Sequence, residues 1–239
     1  WLIRNAETLM LRELLAGHCI IYGEPDIFSE VPHFSWDSIP WREGARLLLN
    51  RGTGLLLSRQ RLNQPSEREF IRRNLHKAAL GCGDALLIAH HAYRRTGMER
   101  LSELKENSFL PGLAALYEDA LRYKYAPCPL EDVDCSGNLP LMTEFWLSSL
   151  CEFARLVTGR VHSDADHAVL SLFQCRKENP GSFVRNALLS IRYLHEKSYL
   201  FPLREHPRVK LLYLLARTLN NAPDSLSEEK YLKLWRRFN

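Results

Sequence analysis

Two carboxylates two positions apart, Asp164 and Asp166, stand between His162 and His167 in the run His162-Ser163-Asp164-Ala165-Asp166-His167. On one face of a β-strand such a pair can share a divalent cation, because alternate side chains project to the same side. Nucleotidyl transfer uses that arrangement, with a Gly-Ser turn upstream to hold phosphate. Here the preceding residues are Thr158-Gly159-Arg160-Val161, without Gly-Ser or a flanking strand. Ser163 and Asp164 are also what a helix N-terminus needs, since their side chains accept from its unsatisfied amides. Capping therefore explains the acids, and two histidines five positions apart around a helix start do not share one face. A second pattern pairs an Arg with a His near a helix end, as small helical ribonucleases do. Arg155 and His162 match that spacing, although Leu156 rather than a polar residue follows the Arg. The basic run Arg94-Arg95 and the tail from Lys233 to Arg237 suit final helical turns, where cations oppose the dipole; phosphate contact is the alternative.

Composition narrows the classes. The 239 residues are 46% hydrophobic and 25% charged, enough to bury a core without disulfides or a structural metal. The formal charge of +4 and a pI near 8.7 fall short of the clustered basicity of a nucleic-acid binder. Six cysteines include no CxxC pair. Cys82 and Cys151 sit in apolar helical stretches, and Cys128 and Cys135 lack the further ligands of a zinc site. Reduced thiols and a cytoplasmic location are expected. No apolar run reaches the roughly 20 residues of a membrane span.

Apolar spacing of three and four predicts an almost wholly α-helical bundle of about eight helices, with one short N-terminal strand. A helix is expected from Asn5 to Leu15, ended by Gly17, and then an edge strand at His18–Tyr22 around Ile20 and Ile21. The prolines and aromatics from Pro25 to Pro40 suggest a packed loop. Helices follow over Trp41–Arg61 and, from a capping box at Ser66 and Glu69, over Ser66 to about Thr96. Gly52, Gly54, Gly81 and Gly83 each cost about 1 kcal/mol inside a helix, so close approach of a neighbour is expected there. Further helices are expected over Pro111–Tyr125, Leu141–Leu156, Asp164–Cys175, Pro180–Tyr199, Arg208–Leu219 and Glu228–Phe238, with a loop from Pro127 to Pro140. Residues 1–40 form an N-terminal unit, 41–126 a first helical layer and 127–239 a second, the two layers packed as one domain.

One ordered set of stretches carries a resemblance. Glu7-Thr8-Leu9-Met10 leads to Gly17-His18-Cys19-Ile20-Ile21-Tyr22-Gly23-Glu24-Pro25, then to Arg46-Leu47-Leu48-Leu49-Asn50-Arg51-Gly52. His76-Lys77-Ala78-Ala79-Leu80-Gly81-Cys82-Gly83-Asp84-Ala85-Leu86-Leu87 follows. Residues 5–105 thereby resemble the segment of bacterial nucleotidyltransferase-like proteins that follows the catalytic core. The resemblance implies a strand closing a mixed sheet, and then a helical domain. It places the family's Gly-Ser and paired aspartates upstream of Trp1. Asp164 and Asp166 come after the helical domain, so they cannot take that role.

The resemblance implies a helical substrate-binding or regulatory part, not catalytic by itself, that walls an acceptor cleft lined by Arg46, Arg51, His76, Lys77 and Asp84. It needs no cofactor in this chain; Mg and a nucleoside triphosphate would belong to an upstream catalytic domain, its expected partner. The alternative is a non-enzymatic interaction module, dimeric or RNA-associated, favoured if Trp41, Trp146 and Trp235 form one exposed patch. A ribonuclease built on Arg155 and His162 is the third reading.

Overall fold

Pro40 cannot donate within a helix and fixes its own φ, so Trp41 begins one cleanly. In the computed structural model, which describes residues 8–24, 26, 28–29, 31, 35–127, 134–174, 183–193, 207–221 and 224–238, that helix runs to Arg61 as expected. Ten α-helices form among the described residues: α1 (Leu9–Gly17), α2 (Trp41–Arg61), α3 (Arg68–Ala89), α4 (Gly97–Asn107), α5 (Leu113–Tyr125), α6 (Cys135–Thr158), α7 (Ala165–Gln174), α8 (Phe183–Tyr193), α9 (Pro207–Asn220) and α10 (Ser225–Phe238). No helix among them is long and apolar enough to cross a membrane.

Helix α3 is central and packs against α2, α4, α5 and α6, while α7, α9 and α10 close the other side of α2 and α6. One apolar cluster runs from α2 to α10. Its largest fully buried member, Trp146 of α6, donates from its indole nitrogen to the Leu48 carbonyl at 3.0 Å. Gly52 makes this approach feasible, because a Cβ there would stand 2.6 Å from the Trp146 ring. At Gly83 a Cβ would stand 2.5 Å from the Tyr117 ring. The close approaches expected at the glycines are present. Thr53 donates to the Leu49 carbonyl at 2.8 Å, so the 2.6 Å bond between Thr53 and Tyr231 has the tyrosine as donor and ties α10 to α2.

Several expectations are corrected. Ten helices form among the described residues rather than about eight. His18–Tyr22 forms no strand; Ile21 and Tyr22 are 94% and 98% exposed, and no strand among the described residues pairs with them. The β-branching of Ile20 and Ile21 suggests an edge strand, but a strand needs a ladder partner. The long helix stops at Ala89 instead of Thr96. The Ala92 amide reaches back to the Leu87 carbonyl at 2.8 Å and the His91 amide to Ile88 at 3.1 Å, the bonding of a Schellman turn. His91 takes the left-handed φ of 59°, where glycine is usual, and its ring donates to the Asp37 carbonyl at 2.8 Å. Ser66 lies in a 3-10 turn and does not cap α3; Glu69 instead accepts from the Tyr123 hydroxyl at 2.6 Å. The true capping box is Thr96 with Glu99 at the start of α4. Helix α6 begins at Cys135, with Pro140 inside it, where a loop to Pro140 was expected. Trp41 and Trp146 are buried, so the three tryptophans form no exposed patch. The ends expected at Cys175 and Tyr199 lie outside the described residues.

Candidate functional site in a groove beside a buried charge junction

Helices α3 and α5 present polar groups on two sides. Toward α4, Tyr117 donates to Asp84 Oδ1 at 2.7 Å, and the Arg100 Nε stands 3.2 Å from the same oxygen. Arg100 Nη1 also reaches Glu13 of α1 at 3.3 Å and bonds the Tyr93 hydroxyl, which donates to Glu13 at 2.6 Å. Arg100 sits on the buried face of α4 with Gly97, Leu101 and Leu104, and its side chain is only 7% exposed. Burial pushes the Asp84 carboxyl above its ordinary value, with Arg100 and Tyr117 opposing. Burial also works against the charge on Arg100, but Asp84, the two tyrosines and Glu13 together raise its value. The guanidinium thus faces two carboxylates, those of Asp84 and Glu13. The Tyr93 and Tyr117 phenols are pushed far above their ordinary range, first by burial and then by the Asp84 charge. A cluster so tied up joins α1, α3, α4 and α5 rather than supplying a base or nucleophile.

Toward α6 the same two helices border an open groove of about 950 Å3. Leu75 and Ala79 of α3 and Met142 and Phe145 of α6 form its apolar floor, between the exposed rims of Leu116 and Leu141. One wall is aromatic. The His76 ring stacks on Tyr123 with centroids 4.2 Å apart and planes 18° from parallel, and the buried Arg72 guanidinium lies 4.7 Å from the Tyr123 ring centre. The pair is pinned at both ends, Tyr123 by Glu69 and His76 by Asp119 at 3.6 Å. Burial holds the His76 imidazole below its ordinary value, with Asp119 opposing. The exposed Arg122 and Asn138 and the carboxylate of Asp134 complete the mouth. This arrangement can hold a flat apolar group against the stack and fix polar substituents at the rim.

The five residues expected to line one cleft do not converge. His76 lines the groove, and Lys77 is exposed on the next position of α3. Arg46 pairs with Glu43 at 3.1 Å. Arg51 crosses α3 at Gly81, where a Cβ would collide with it; burial lowers its value and Asp84 opposes that. Asp84 belongs to the buried junction. Arg155 is engaged by Glu152 at 2.6 and 2.7 Å, and His162 by Ser171 at 2.9 Å. Asp164 caps α7, accepting from the His167 amide at 2.9 Å and from its ring at 2.6 Å, which hold the carboxyl at about 2. Asp166 stands 3.6 Å from Arg217. Among the described residues no three His, Cys, Asp or Glu side chains gather to hold a metal ion.

Reading the sequence missed Tyr123, Arg122, Tyr93, Arg100 and Tyr117. One signal was available for Arg100: a charged residue among the apolar positions of α4 demands a buried carboxylate. The groove had none, because its walls come from three helices whose mutual packing no local pattern specifies. Comparison with known proteins finds no matching family model, no matching curated protein and no matching solved structure.

Proposed function

We propose that this chain is a non-catalytic helical substrate-binding or regulatory part of a nucleotidyltransferase-like protein, and that the groove between α3, α5 and α6 is its ligand-holding surface. The observation that carries the binding role is the groove itself, with its apolar floor and pinned aromatic wall. Its volume falls in the range of about 300–1,000 Å3 typical of small-molecule sites. His76, one of the residues the resemblance places at the acceptor cleft, lies in that wall. The family assignment rests on the ordered stretches from Glu7 to Leu87. Metal and triphosphate would be handled by a catalytic partner, and this chain would orient the acceptor. The gene tests the assignment: the reading frame upstream of the Trp1 codon should encode a Gly-Ser turn followed by a strand with two aspartates. An in-frame start or stop without them overturns it.

A non-enzymatic interaction module is the second reading. It is supported by α8, whose Val184, Leu188 and Ile191 are 61%, 61% and 57% exposed along one helical stripe. Light scattering after size exclusion tests self-association through that stripe: Leu188→Glu should return an assembly to monomers, and a monomeric wild type removes the dimer.

A further inference from the structure

The charges around the groove narrow what it holds. Its floor is apolar, and its aromatic wall is a stacked pair, His76 on Tyr123 with centroids 4.2 Å apart, whose outer ring face and edges are what a third ring can meet. A planar ring is the shape that fills a slot beside such a wall with least loss of contact, and stacked or offset rings gain beyond area burial. The cations are unevenly engaged. Arg72 is buried at the Tyr123 ring. Arg122, next to Tyr123 on α5, is exposed at the mouth with no ion-pair partner among the described residues. The carboxylate of Asp119 is turned to His76 at 3.6 Å rather than to Arg122. A single exposed guanidinium beside an aromatic wall matches one anionic group on the ligand, and planar carboxylates and phosphates suit its fork.

Resting on the reading of this groove as a ligand site, we infer that it takes a planar aromatic ligand carrying one anionic group, with the ring laid against the His76–Tyr123 stack and the acidic group on Arg122. An aryl carboxylate and a nucleoside monophosphate share that chemistry. Rim acceptors at Asp134 and Asn138 add bonds to ring amines or hydroxyls.

The test is a two-dimensional NMR titration of the whole chain with indole-3-acetate and with AMP, each paired with its neutral counterpart, indole and adenosine. At least one anionic probe should saturate shifts at groove amides, and which one does so identifies the source of the acid. Tyr123→Ala should weaken it by roughly 5- to 150-fold, the span of a lost ring stack. Arg122→Ala should weaken the anionic probe about fivefold and leave its neutral counterpart unchanged, as for an exposed ion pair. Because Tyr123 also anchors Glu69, Leu141→Glu on the exposed rim serves as a second variant; it should repel the anions without touching the core. Equal binding of charged and neutral probes, unmoved by Arg122→Ala, overturns the inference and leaves the groove a ligand site. Silence with all four probes while other fragments from a diverse panel shift the groove also overturns it alone. Silence with the whole panel overturns both the inference and the ligand-holding groove.

Discussion

The two sides of the α3/α5 pair treat charge in opposite ways. On the α4 side Asp84, Arg100, Tyr117, Tyr93 and Glu13 satisfy one another, and Arg100 and Tyr117 are sealed from water. On the α6 side Asp119, Arg122 and Asp134 stay at the rim, Arg72 is buried against the Tyr123 ring, and an apolar floor faces an open groove. The same two helices thus build a structural joint and a receptive surface. The difference lies in the third helix. Helix α4 brings a guanidinium into contact and closes over it; α6 packs on α3 through residues such as Met142 but stands apart from α5. A buried charge with its partners in place ties elements of the fold together. A half-buried ring pair beside open space is available to a ligand.

The contrast can be broken in order of size. Arg100→Ala should cost about 3–5 kcal/mol, because it leaves the Asp84 carboxylate buried without its cation; chemical denaturation measures it. Tyr117→Phe removes one donor to that carboxylate and should cost about 1–3 kcal/mol. Gly83→Ala drives a methyl group against Tyr117 and Leu104; overpacking of about 1–3 kcal/mol, less the roughly 1 kcal/mol a helical Ala gains, predicts a net loss of up to about 2 kcal/mol. On the groove side Arg122→Ala should shift stability by no more than about 0.5 kcal/mol. A large loss there would mean the rim is structural and the contrast false. The smallest effect is in pH. The folded imidazole of His76 lies below the ordinary 6.5, so the unfolded chain binds more protons in that interval. Stability should therefore fall as pH drops through 6.5 toward the folded value, and His76→Asn should flatten that slope in thermal melts.

Much of the scaffold was legible in the residues. Pro40 before Trp41 marked the start of α2, and glycines in apolar stretches marked the approaches of Trp146, Asn74, Arg51 and Tyr117. Asp164 was readable as a cap because its chemistry is local. What escaped was whatever a distant partner decides. The apolar rhythm of α3 continues to Tyr93, which is buried, yet the chain turns at His91 because the Asp37 carbonyl holds that ring. Ile20 and Ile21 prefer strands, but preference without a neighbouring strand makes none. Asp84 was singled out, but its partner Arg100 comes from another helix and its hydroxyl donor Tyr117 lies 33 positions away. The groove is the extreme case, since only the packing of three helices creates it.

The indole of Trp146 gives the protein an internal reporter. It bridges α6 to the backbone of α2 and is fully buried, so among the five tryptophans its share of the emission is that of a water-excluded fluorophore. If the apolar cluster melts as one cooperative unit, the red shift of that emission and the loss of helical dichroism share a single midpoint.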